Sequence, residues 1–183
     1  MLVKADHSLL QYSGRIDWSD REAPVLVFPC SSVKMKFTGT SVAAAVENHQ
    51  SYFNGFLGYL IDGEQKCVRI ADSGRETIVL AKGLADGEHE IMLFKRMDAC
   101  HTFTFYGFEV DDGARILEPE AKPARRIEVY GDSVSAGEVS EAVDYIGQPD
   151  PVHDGEFSNS YYSYTWMTAR KLGAEIHDIA QGG

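Results

Sequence analysis

The sequence predicts a β-sandwich of about eight strands joined to the first strand–helix–strand unit of an α/β layer, and three observations carry that prediction. From Pro24 to Val110, apolar and polar residues alternate in short segments, broken about every 8 to 12 residues by glycine, asparagine or aspartate, as in an all-β sandwich or barrel. At Glu118–Arg126, EPEAKPARR, two prolines among charges stop any strand and mark a boundary. Beyond it a β-rich run, a helical stretch and a second β-rich run follow in order, a βαβ unit with parallel strands.

Taken in order, Val25–Phe28 is the first expected strand. In Ser32–Phe37, Val33, Met35 and Phe37 alternate with Ser32, Lys34 and Lys36, so one face is core and the other wet. Further strands are expected at Ser41–Glu47, Phe53–Ile61, Cys67–Ala71, Thr77–Leu80, His89–Lys95 and Thr102–Val110. Asp62-Gly63, Asp86-Gly87 and Asp112-Gly113 supply turn residues tolerant of positive φ. After the boundary, Arg126–Tyr130 is a strand that ends abruptly in Gly131-Asp132-Ser133. Ser158–Leu172 reads as a helix, with Ser158 or Asn159 as its cap and Gly173 as its close, and Ala174–Ile179 as the second strand. Two parallel strands leave their edges and much apolar surface uncovered, so either further residues or the sandwich must shelter them. The division expected is residues 1–119 and 120–183.

Charge narrows the function. With 17 Lys and Arg against 28 Asp and Glu, the net charge is −11, and that field repels phosphate backbones and anionic lipid. Neither a nucleic acid nor a membrane is expected as partner. A 44% hydrophobic content supports a buried core and excludes intrinsic disorder. The opening MLVKADHSLL lacks an apolar core followed by a small-residue cleavage site, so a cytoplasmic protein is expected. Cys30, Cys67 and Cys100 are odd in number and without CxxC spacing, and read as buried free thiols.

Chemistry is expected where open α/β sheets place it, at the carboxyl end of a parallel strand. There Gly131 lets the backbone bend, Ser133 can project its hydroxyl, and its N–H can face a developing oxyanion. A plain strand-to-helix turn capped by Asp132 or Ser133 remains open. A phosphate-cradling loop fits worse, because GxxxxGK[ST] is not matched.

Gly131-Asp132-Ser133 resembles the first signature block of the SGNH, or GDSL, hydrolases. From about Tyr12 onward, the whole chain resembles carbohydrate esterase family 2. The runs that carry the likeness are Phe37–Val42, Leu60–Gly63, Gly83–His89, Lys95–Ala99, Phe105–Glu109, Ile127–Ser133 and Asn159–Tyr161. The resemblance implies an N-terminal jelly-roll sandwich over 1–119 and, from 120, the N-terminal part of a three-layer SGNH domain. It implies a serine esterase, without metal or organic cofactor, that removes acetyl groups from a plant polysaccharide such as xylan. Its partner would be an acetylated carbohydrate, and a homo-oligomer is compatible.

Carried over by residue, Ser133 is the nucleophile and one oxyanion N–H. Gly182, with Gly183 as the alternative, supplies another. The family's asparagine donor and general-base histidine come later than Gly183, so the chain is expected to be part of a longer enzyme. The run around Glu138 departs from the tyrosine-containing turn of the family. Two local substitutes for the base exist. His177-Asp178 lies within the second strand and reads as structural. His153-Asp154, near Asp150 and Glu156, reads as a solvated loop that could alternatively reach Ser133 or hold a hard metal. His7, His49, His89 and His101 are expected to satisfy structural hydrogen bonds, and Trp18, Trp166, Tyr161 and Tyr162 to be core in preference to sugar-stacking. The rivals are a non-catalytic carbohydrate-binding module carrying an SGNH remnant, and an SGNH thioesterase or lipase.

Overall fold

The alternation at Val33, Met35 and Phe37 buries all three completely in the computed structural model, which describes residues 1–182. The strands are β1 (Leu2–Lys4), β2 (Gln11–Ser13), β3 (Ile16–Asp17), β4 (Val25–Leu26), β5 (Ser32–His49), β6 (Phe56–Ile61) and β7 (Glu64–Arg69). They continue with β8 (Arg75–Lys95), β9 (Thr102–Val110), β10 (Ile116–Leu117), β11 (Arg125–Gly131) and β12 (Ala174–Ala180). The first ten form one antiparallel sheet in the order β3-β4-β9-β5-β8-β6-β7, with β1 on β9 and both β2 and β10 on β5.

The expected sandwich is therefore one sheet curled around its own core. Ser32–Phe37 and Ser41–Glu47 are two halves of the single strand β5, which bends where its register shifts between Gly39 and Ser41. Such shifts bend a strand and increase its twist. Asp111 clamps the bend: its carboxylate accepts the N–H groups of Thr40 at 2.5 Å and Ser41 at 3.1 Å. Likewise Thr77–Leu80 and His89–Lys95 belong to one strand, β8, and Asp86-Gly87 lies inside it. No hairpin turn forms there because the strand is paired to β5 on both sides, Gly87 with Gly39 and Lys82 with Ser41, and the residues between are taken up in the register shift. Asp62-Gly63 and Asp112-Gly113 do turn the chain, with positive φ at Asp62, Gly63 and Gly113. The two-residue turn at Asp62 starts β7 at Glu64, earlier than the expected Cys67.

Beyond the linker, β11 and β12 pair in parallel with Ile127 opposite Ile176 and Gly131 opposite Ala180. The expected single helix is divided. A 3-10 turn at Ser160–Tyr162 is capped by Asn159, and after it α2 (Tyr164–Lys171) is capped by Ser163, whose side chain accepts the Trp166 N–H. The short α1 (Ser133–Ala136) follows β11 directly. Trp166, Ala169, Ala174 and Ile176 pack with Phe94 of β8 and with Cys30, just before β5, in a second core, so the sheet shelters this unit on that side. Of the three free cysteines only Cys30 is buried. Cys67 is exposed and Cys100 intermediate, a correction to the expectation for those two. No helix among the described residues is long and apolar enough to cross a membrane.

Candidate active site

Gly131 ends β11 and the chain turns at once into α1. Asp132 is its N-cap, the carboxylate accepting the Val134 N–H at 3.1 Å, and Gly137 closes it with φ 80°. The capped strand-to-helix turn is thus present, and because the capping residue is Asp132 the side chain of Ser133 is left uncommitted to the cap. As a first-turn residue, Ser133 has an N–H with no intrahelical partner.

Ser133 opens into a cavity of about 640 Å³ lined also by Glu138, Asp150, His153, Tyr162 and Tyr164. Tyr162 and Tyr164 are exposed there, whereas Trp166 is core. His153 therefore shares the cavity with Ser133. Its ring packs 4.7 Å from Phe53, and its Nδ1 accepts the Gly155 N–H at 3.1 Å, which leaves Nε2 as the nitrogen not used by the loop. Among the described residues, no group of three or more His, Cys, Asp or Glu side chains is placed to share a metal ion.

His177-Asp178 is built into β12 as expected. Asp178 is buried, and its Oδ2 accepts from Thr165 Oγ1 at 2.8 Å and the Cys30 thiol at 3.6 Å, while Oδ1 has no partner among the described residues. Burial pushes this carboxyl up to about 6.

Gly182 lies against Ser133: a Cβ built on it would sit 3.6 Å from Ser133 Cβ and 3.2 Å from Glu138 Oε2. Its N–H, expected to be free for an oxyanion, is instead donated to Asp98 Oδ2 at 2.6 Å. The alternative donor, Gly183, falls outside the described residues. Asp98 comes from the loop after β8, and sequence reasoning gave it no role. Burial, and then the Asp98 carboxylate, raise the pKa of Glu138.

The family model described as carbohydrate esterase 2 N-terminal matches residues 12–119. The chain belongs to carbohydrate esterase family 2. The family 2 chain is 30% identical over 181 residues to the cellulase/esterase CelE of Acetivibrio thermocellus, covering 97% of this chain and 21% of that protein. It is 24% identical over 181 residues to an acetylxylan esterase/glucomannan deacetylase of Cellvibrio japonicus, covering 99% of this chain and 49% of the other. Among solved structures, a family two carbohydrate esterase from Clostridium thermocellum in complex with cellohexaose superposes with a TM-score of 0.85 at 28% identity, over 95% of this chain and 51% of that one. An acetyl xylan esterase from Butyrivibrio proteoclasticus matches in fold, with a TM-score of 0.85 at 21% identity, over 100% of this chain and 50% of that one. The chain thus spans between about a fifth and a half of the length of these relatives.

Proposed function

We propose that this chain carries the nucleophile of a serine esterase that removes acetyl groups from a plant polysaccharide such as xylan. The observation that carries the reading is Ser133, set by a sharp Gly131–Asp132 turn at the tip of a parallel strand and facing an open cavity. Support for the substrate class comes from relatives described as acetylxylan esterase and as carbohydrate esterase.

In this reading a histidine deprotonates Ser133 Oγ, which attacks the acetyl carbonyl to form a tetrahedral adduct. Collapse of the adduct releases the sugar hydroxyl, which takes the proton back from the histidine. Water activated by the same base then frees acetate and restores the serine. The Ser133 N–H supplies one oxyanion donor at the head of α1. In this reading the base is not among the residues described for this chain, as the family likeness implies. The unpaired second edge of β11 among the described residues is consistent with further strands of an SGNH sheet.

The test is hydrolysis of short-chain and long-chain acyl esters by the complete polypeptide. Acetyl esters should be cleaved and long-chain esters should not, and Ser133→Ala should bring turnover to background with the fold retained. Undiminished turnover by Ser133→Ala removes this serine from the mechanism, and a long-chain preference favours the thioesterase or lipase class. The position of His153 in the same cavity favours one second reading, a base supplied by the loop. The 183-residue chain alone should show no turnover under the main reading, and turnover lost in His153→Ala would establish the second.

A further inference from the structure

The loop after β8 grips the end of β12 and the residues that follow it at three points. The Ala99 N–H donates to Ala180 O at 3.2 Å, the Gly182 N–H donates to Asp98 Oδ2 at 2.6 Å, and the Cys100 thiol lies 3.9 Å from Gly182 O. Asp98 is itself held firmly. It is buried, its Oδ1 accepts the Cys100 N–H at 3.2 Å, and the Tyr52 hydroxyl stands 3.4 Å from Oδ2. Behind it Lys95, 2% exposed, donates from Nζ to the carbonyl of Met97 at 2.5 Å and to that of Asp98. A side chain fixed on this many sides cannot swing freely, so it transmits its position to whatever it binds.

What it binds faces the nucleophile. A Cβ on Gly182 would meet Asp98 Oδ2 at 2.8 Å on one side and Ser133 Cβ at 3.6 Å on another. The Gly182 backbone is therefore wedged between the carboxylate and the residue that carries the nucleophile. A local turn-capping role would need only the Oδ1 contact to Cys100. The second oxygen, directed 84 positions along the chain at a short charge-assisted distance, is left over by that role.

We propose that Asp98, a residue of the β-sheet domain, is a positioning residue for the ester-hydrolysing site, fixing through the Gly182 N–H the loop that opposes Ser133. This rests on the reading of Ser133 as nucleophile. The Gly182 N–H then serves loop geometry, because a donor already bound to a carboxylate is not available to an oxyanion. The curled sheet thus completes the site and is not a separate binding module.

The wild-type protein tests the contact directly by NMR. A scalar coupling across the hydrogen bond, between the Gly182 nitrogen and the Asp98 carboxylate carbon, is expected, and its absence overturns the proposal. Asp98→Ala should move the Gly182 amide resonance upfield. In the complete polypeptide it should lower kcat roughly tenfold to a hundredfold, the scale of loss for about 1 Å of misplacement, with KM changed less than about twofold. Asp98→Asn keeps an acceptor oxygen and should recover most of kcat. A loss carried by KM, a fall in kcat without a Gly182 shift, or no recovery in the asparagine variant overturns the positioning role. If Asp98→Ala does not fold, Asp98→Asn and the wild-type coupling decide. Full hydrolysis by Ser133→Ala would instead overturn the nucleophile reading while leaving the Gly182–Asp98 coupling intact.

Discussion

Gly131→Ala isolates how tightly the turn into Ser133 is packed. The φ of Gly131 is not positive, so alanine meets no backbone penalty there, and any effect is steric. A Cβ at this position would lie 2.5 Å from Ser135 Cβ and closer still to Ser135 Oγ. Rotating the serine moves its oxygen, breaking the 3.0 Å hydrogen bond to Tyr164 Oη, but it leaves the two Cβ atoms in collision. The backbone must therefore part by roughly 1 Å, at an overpacking cost of about 1–3 kcal/mol. At about 2–4 °C per kcal/mol for a chain of this size, the melting temperature should fall by about 2–12 °C. Ser135 is buried two residues after Ser133 in the same helical turn, so the displacement carries Ser133 with it. A shift of about 1 Å should lower kcat of the complete polypeptide by about a hundredfold. The assay pairs calorimetry with acetyl ester hydrolysis for Gly131→Ala, Ser135→Gly and the double variant. Ser135→Gly removes the obstructing atoms, so the double variant should lose less than the sum of the single ones. Additive losses, or a Gly131→Ala protein with wild-type melting and turnover, would falsify the steric account.

Two further outcomes follow from the site. Asp178→Asn should stabilise the protein by about 2–3 kcal/mol at pH 7.5 and by little near pH 4, read from urea midpoints at the two values. The sign follows from a folded pKa raised to about 6: the protonated acid folds well, and stability is lost as pH rises from the unfolded value through 6. A pH-independent difference refutes the burial argument. Ser133→Ala alone should leave the melting temperature within about 2 °C of wild type, since a half-exposed hydroxyl at a strand tip contributes little packing. A larger fall would mean that the serine is structural.

The curled sheet was legible where periodicity was long enough. The spacing of Val33, Met35 and Phe37 identifies a core face without any partner in view, and the two-residue turn at Asp62-Gly63 sets the β6–β7 hairpin. The strands before Pro24 were not legible, because β1, β2 and β3 have only two or three residues each and are defined by their partners β9, β5 and β4. Asp86-Gly87 misled for the opposite reason: local turn preference yields when both flanks stay paired to β5. Ser133 was legible from its glycine and its strand. Asp98 was not, since an acid in one loop that bonds an amide 84 residues away leaves no spacing signal. Its only trace was the run Lys95–Ala99, which resembled the family without a role attached.

Arg96 shows why the sheet and the α/β unit should act as one body. Its side chain is fully buried, with Nε donating to Ser158 O at 2.8 Å and one Nη to Glu141 Oε2 at 2.5 Å and Glu156 O at 2.9 Å. Around it the Ser160 N–H donates to Arg96 O at 2.9 Å, and Ser160 Oγ donates to Lys95 O at 2.6 Å. The end of β8 is thus stitched to the segment that leads into α2. Replacing Arg96 by methionine keeps much of the volume and removes every donor. The carbonyls of Ser158 and Glu156 then lose their charged partner, and Glu141 keeps only the Asn159 amide, 2.9 Å from Oε1. Buried acceptors stripped of donors cost about 1–3 kcal/mol each, but Glu141 is about a third exposed and water screens part of its loss. A total of about 2–5 kcal/mol is expected, enough to open the segment before the sheet melts. Hydrogen exchange should then accelerate in Ser158–Ala169 while β5 and β9 stay protected. Uniform protection across both regions in Arg96→Met would mean that the apolar cluster of Cys30, Phe94 and Trp166 holds the two parts together without the arginine.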